Sequence, residues 1–297
     1  MRRPSGLAAI ALGSQNTASK HTLRFRNLFG TLGLSSGILT ICATVALGGP
    51  PKLDRRAATK IVVQIQRADY EGDRAALKRL YADLMPVSTD KHVASRFRYW
   101  RGFAMWRRAQ NGFNESADPK ELEADLQQAV VEFNEALELD PDFVDAKVGA
   151  AACFSNLAFL KFKRGEPAQD LLVKSGQLLK EGQAEAPENP RVLWVLGANL
   201  WYAPPQYGGG QDKAFETYQK GLELSRKQNT QSSDVLEPSW GEPELLMNLA
   251  WANLHRNAPD LEAADRYAHS ALQIVPYWHY VRDILIPQIN DAKAKGS

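Results

Sequence analysis

The chain has 297 residues, a formal net charge of +2 and two cysteines, Cys42 and Cys153. That length suffices for one large domain or two small ones. The near-zero charge gives no global field for nucleic acid or for an anionic membrane surface, and two distant cysteines supply neither a disulfide framework nor a zinc site.

The first element is an apolar segment. No charged residue occurs between Leu28 and Pro51, and Lys20, Arg24 and Arg26 precede the stretch. A basic flank, an apolar run and then small residues is the layout of an export signal, with cleavage after Ala46 or Gly48. Twenty such residues also suffice for an uncleaved transmembrane anchor. Basic residues on both flanks leave the orientation open. Residues 1–50 are therefore assigned to a tail plus export signal or anchor, and residues 51–297 to the folded domain, in a periplasmic or membrane-anchored protein of the cell envelope.

From Asp54 onward the pattern is helical throughout, since no stretch alternates apolar and polar residues with the β-branched enrichment of a strand. Gly and Pro clusters mark the turns. The first hairpin is expected over Arg55 to Tyr70 and Asp73 to Leu84. The second spans Val93 to Gln110 and Pro119 to Leu139, with a long connection from Asn111 to Asp118. The third covers Phe143 to Arg164 and Ala168 to Ala186. The fourth covers Arg191 to Trp201 and Asp212 to Arg226. A polar stretch, Lys227 to Ser233, precedes a fifth over Pro243 to His255 and Leu261 to Ile274. Tyr277 to Ala294 would cap the array, kinked or split at Pro287.

A packing pattern repeats within these hairpins. Ala129, Phe133, Ala136 and Pro141 place two small residues and an aromatic on one helix face, with a proline to end the helix. Ala264, Ala268, Ala271 and Pro276 keep that spacing. Ala214, Tyr218 and Gly221 keep it without the proline, and Ser175, Leu179, Gly182 and Pro187 keep it in outline. Ten residues beyond Pro141 and Pro187 lie Ala151 and Gly197, small residues of the next helices. Small residues let a neighbouring helix approach, and the aromatic fills the space between.

These positions resemble the tetratricopeptide repeat family, most clearly over Leu126 to Leu200, then over Ala214 to Leu222 and Leu246 to Pro276. The resemblance implies an all-α, α-α superhelix of about five irregular hairpins with a C-terminal capping helix. It also implies a scaffold that holds a protein or peptide partner on its concave face. The export layout and the Tyr207 to Gly210 turn look like the T-component of TRAP transporters as well. That likeness implies a periplasmic accessory that binds a small ligand or a substrate-binding protein. Ile41, bulky where a lipobox before Cys42 would have a small residue, departs from that pattern.

Two places break the repeat and are the candidate binding sites. Trp201 to Gly210 inserts about five residues into the fourth hairpin. Trp201, Tyr202 and Tyr207 on this proline-stiffened loop would line a pocket, and its glycines would offer N–H groups to an anion; the alternative is a loop that packs on its own hairpin. In the helix Arg96 to Arg108, Arg98, Arg101 and Arg108 share one face and would bind an anionic partner. The alternative there is pairing with the acidic helix that follows, which carries Glu121, Glu123, Asp125, Glu132, Glu135 and Glu138. No catalytic or metal-binding signature is present, and no histidine has metal-ligand spacing, so no enzyme, cofactor or nucleic-acid partner is expected. A partner-docking scaffold predicts an open groove; a ligand-handling protein predicts one deep apolar pocket near Trp201, Tyr202 and Tyr207.

Overall fold

In a computed structural model, residues 55–84, 88, 90–228 and 234–296 are described. The apolar segment 28–47 lies outside them. Every regular element among the described residues is helical. Five hairpins follow in chain order: α1 (Arg55–Glu71) with α2 (Arg74–Asp83), α3 (Lys91–Asn114) with α4 (Pro119–Leu139), and α5 (Val144–Lys163) with α6 (Gln169–Glu185). Then come α7 (Pro190–Tyr202) with α8 (Gln211–Gln228), and α9 (Glu242–His255) with α10 (Leu261–Ile274). A wide π-turn, Tyr280–Leu285, leads into α11 (Ile286–Gly296). No described helix is long and apolar enough to cross a membrane.

Two boundaries differ from the pattern-based expectation. The long connection expected from Asn111 shrinks to residues 115–118, because α3 continues for another turn. Its start is set by Asp90, whose side chain accepts from the N–H groups of His92 and Val93. Gly112 keeps the added turn possible: a Cβ there would meet Leu122 Cδ2 at 2.5 Å. Near Pro287 the ladder widens instead of breaking, with Ile286 N–H donating to Val281 O five residues back.

The repeated spacing is a set of wedges. Ala129, Phe133 and Ala136 are fully buried, and Phe133 sits between α3 and α5. Both neighbours meet it with glycine: a Cβ on Gly102 would lie 2.9 Å from the ring, and one on Gly149 2.5 Å. The fourth hairpin repeats the device with Tyr218 against Gly197, where a Cβ would overlap the ring. In the third hairpin the corresponding Ser175 is also buried, and its hydroxyl donates to Ala151 O at 2.8 Å. Gly149→Ala should therefore destabilise the protein. Helix propensity gains about 1 kcal/mol, but overpacking a core costs about 1–3 kcal/mol. The expected net loss is up to about 2 kcal/mol in urea denaturation, and a raised midpoint would contradict the wedge.

The array closes on itself. After α8 the chain turns inward, and residues 234–241 cross to the second hairpin. Trp240 packs against Phe103, Trp106 and Trp194 with ring centroids 5.6–5.9 Å apart. Its indole N–H donates to Tyr99 Oη at 2.8 Å, while Trp100 donates to Leu236 O at 2.8 Å. The first hairpin meets the same closure. Arg55 pairs with Asp234, Tyr70 Oη donates to Glu244 Oε1 at 2.6 Å, and the Tyr70 ring packs edge-on to Trp278 at 5.0 Å. The first and last hairpins are thus joined, rather than standing at opposite ends of an open stack.

Candidate functional site

The first helices of hairpins two to five point one face at a common interior. From α3 come Trp106, Gln110 and Asn114; from α5, Ala152, Ser155, Asn156 and Phe159. From α7 come Trp194, Ala198, Asn199, Trp201 and Tyr202; from α9, Met247, Asn248 and Trp251. Steps of three and four residues keep each set on a single helical face. Tyr218, Trp278 and Tyr280 complete the wall of a cavity of about 140 Å³ that is partly open to solvent. Aromatic rings and a few amides dominate the lining, which is the usual make-up of a small-molecule site.

The lining is only partly satisfied by protein. Ser155 Oγ reaches Ser175 Oγ at 2.8 Å and Asn199 Oδ1 at 3.1 Å, and Asn248 bonds the Tyr218 hydroxyl. By contrast, the buried indole nitrogens of Trp106 and Trp194 and Asn114 Oδ1 have no partner. Buried polar groups are nearly always hydrogen-bonded, so three orphans on one cavity mark a place where something else supplies the bonds. Burial pushes the phenols of Tyr202, Tyr218 and Tyr280 well above their ordinary pKa, so they present neutral hydroxyls.

Charge sits at one end of the cavity. Arg107 lines it with a side chain only 7% exposed. Its Nε donates to Asp69 Oδ2 at 2.7 Å, and Asn111 Nδ2 holds Asp69 Oδ1 at 3.1 Å. Glu244 lies close by, accepting from Tyr70 and, at 2.9 Å, from Gly241 N–H. Burial raises the Glu244 carboxyl toward its neutral form, against the pull of Arg107. Burial opposes the Arg107 charge too, but Asp69 more than offsets it and the pKa rises.

The residues singled out in the sequence divide among three places. Trp201 and Tyr202 line the cavity, with Trp201 edge-on to Trp251 at 5.1 Å. Tyr207 is 80% exposed on the adjoining loop and does not reach it. The glycine N–H groups of that loop bond its own hairpin: Gly208 to Pro205 O, Gly209 to Pro204 O, and Gly210 to Leu200 O at 2.8 Å. They leave no nest for an anion. Arg98, Arg101 and Arg108 face α4. Arg101 gives Nε and Nη2 to Glu132 Oε1 at 3.0 and 2.8 Å, Arg98 pairs with Glu132 and Glu135, and Arg108 pairs with Asp125 and Glu121. This is the intramolecular pairing alternative, and none of these three arginines lines the cavity.

Sequence reasoning missed Arg107, Trp106 and Trp194 as site residues. The signal available was the tryptophan count of seven, six of them between Trp100 and Trp251. Cys153 is buried and its thiol pKa raised, as for an inert core residue. Among the described residues no group of His, Cys, Asp and Glu is arranged to hold a metal ion.

No protein-family model matches the sequence, and no curated protein matches it. A solved structure that does match is the HusA haemophore from Porphyromonas gingivalis, with a TM-score of 0.53 and 20% identity, over 66% of this chain and 91% of that one. At that identity the likeness concerns the fold.

Proposed function

We propose that this chain is a ligand-holding helical-repeat protein of the cell envelope, in which the inner cavity takes one small, flat, largely apolar molecule. The observation that carries the reading is the convergence of four first helices on an aromatic and amide wall with orphaned polar atoms. A peptide laid across the concave face, as in an open scaffold, is disfavoured because Trp240 and the first hairpin occupy the inner surface. A role as the ligand-handling accessory of a solute transporter is compatible with this pocket.

The haemophore likeness adds porphyrins to the ligand classes worth testing. The lining contains no histidine, and its tyrosines are held protonated. Met247 is the remaining side chain suited to iron. A porphyrin would therefore be held by ring stacking more than by a bond to its metal, and iron-free protoporphyrin IX should bind about as well as haemin.

The test is a titration of the purified chain with 2-naphthamide, protoporphyrin IX and haemin, followed by tryptophan fluorescence and by the thermal midpoint. Saturable quenching and a raised midpoint are expected for at least one probe. Trp194→Ala should weaken that probe by tenfold or more, in keeping with the loss of a stacking ring. If no probe binds saturably at millimolar concentration, the cavity is not a ligand site.

A further inference from the structure

We infer that the ligand carries a carboxylate, which docks at the Arg107 end of the cavity against the guanidinium and the indole N–H groups of Trp106 and Trp194. This rests on the reading of the cavity as a ligand site and specifies the ligand class. A guanidinium has five N–H donors. In Arg107 only Nε is engaged, by Asp69, and no other hydrogen bond from this side chain exists among the described residues. The Nη groups stay free on a side chain that is more than nine-tenths buried and lines the cavity.

A second observation points the same way. The rings of Trp106 and Trp194 lie 5.8 and 5.9 Å from Arg107 Cζ, and both indole nitrogens are buried without a partner. The unsatisfied groups at this end are thus donors without exception. A carboxylate is the complementary group, because when ionised it only accepts. Arginine binds it through two parallel N–H bonds, and the charge makes each stronger than a neutral pair. A hydroxyl would accept these bonds without the charge that strengthens them, and an ammonium would be repelled by the guanidinium.

Asp69 does not pre-empt the site. It is bound on the Nε edge and its second oxygen is taken by Asn111. Its role is to hold the guanidinium plane and keep it charged while the Nη edge faces the ligand. Glu244, the other carboxyl in the cluster, is occupied by Tyr70 and Gly241. Two turns along α3 from Arg107, about 10 Å by helical rise, Asn114 Oδ1 is also unpaired. The flat body of the ligand would lie between these ends against Trp106, Trp194 and Trp201.

The experiment compares two probes of equal size, 2-naphthoate and 2-naphthamide, by calorimetric titration at pH 7 of the full chain. Wild type should bind the naphthoate roughly ten- to hundredfold more tightly, the span of one charge-assisted interaction. The ratio should fall to near one in Arg107→Gln. It should fall likewise in Asp69→Asn/Arg107→Gln, which keeps an uncharged pair if the single variant does not fold. Equal binding of both probes by wild type overturns this inference and leaves the cavity reading standing. A preference that survives in either variant also overturns it. Binding of neither probe overturns this inference, and the cavity reading then rests on the titrations with protoporphyrin IX and haemin.

Discussion

Trp240→Ala should lower the unfolding free energy by about 3–5 kcal/mol, the range for removing a large aromatic from a packed core. The residue is 6% exposed, although it lies on an irregular segment between two hairpins. Its ring touches Phe103, Trp106 and Trp194, so its loss would leave the second and fourth hairpins facing a hole. Its backbone carbonyl also accepts from Arg191, at 3.3 Å, while the same arginine pairs with Asp145. Trp240→Phe keeps most of the ring and loses the donor to Tyr99, so its cost should be nearer to about 1 kcal/mol. Guanidinium denaturation followed by far-ultraviolet circular dichroism distinguishes these. A loss below about 1 kcal/mol for the alanine variant would show that residues 234–241 are not part of the core.

The second large effect is expected at Glu132, a 1% exposed carboxylate in α4. It accepts from Arg101, from Arg98 and, at 2.9 Å, from the Tyr81 hydroxyl, and Arg101 is itself further tied to the carbonyls of Tyr81 and Leu84. Glu132→Ala leaves Arg101 buried without its counter-ion, which costs about 3–5 kcal/mol. The acid response follows from the same contacts. Burial works against the Glu132 charge, but the hydrogen bonds from Arg101 and Arg98 outweigh it and hold the carboxyl below its ordinary 4.5. A depressed folded-state pKa stabilises the protein above the unfolded value, and that contribution disappears as the pH falls through the folded value. Wild type should therefore lose stability on acidification below about pH 4.5. In Glu132→Gln this part of the acid loss should be absent, so its melting temperature should fall less steeply over the same interval. Parallel acid limbs would mean that other carboxylates set the response.

The helices and the wedges were legible because both are local. Ala129, Phe133 and Ala136 announce a buried face within eight residues, and the step from Pro141 to Ala151 announces the helix that receives Phe133, although the ring rests on Gly149 two residues earlier. What local spacing could not decide is which way a polar stripe faces. Arg98, Arg101 and Arg108 do share a face, as the periodicity requires, but the docking of α4 turns that face inward. Arg107, one residue off the stripe and so about 100° around the helix, points into the cavity instead. The cavity depends on contacts that span the chain, such as Trp100 to Leu236 and Tyr70 to Glu244. Nothing in the composition of a segment such as Trp240-Gly241 says that it will reach back to the second hairpin. Trp201 and Tyr202 were found because they interrupt the repeat, whereas Trp106 and Trp194 sit in regular helices and leave no such mark.

The junction between the first and last hairpins has a kinetic consequence. A linear repeat array folds by neighbour-to-neighbour growth, and a partial array is already partly stable. Here Arg55 meets Asp234 and Tyr70 meets Glu244, partners 179 and 174 residues apart in the chain. Closing such loops must be paid for in entropy before their contacts form, which slows folding. The early hairpins emerge first but lack their inner wall until the region of Trp278 has been delivered. Removing the last hairpin should therefore unsettle α1 and α3 as much as its chain neighbours α7 and α8, and the chain should unfold as one cooperative unit and not unit by unit from its ends.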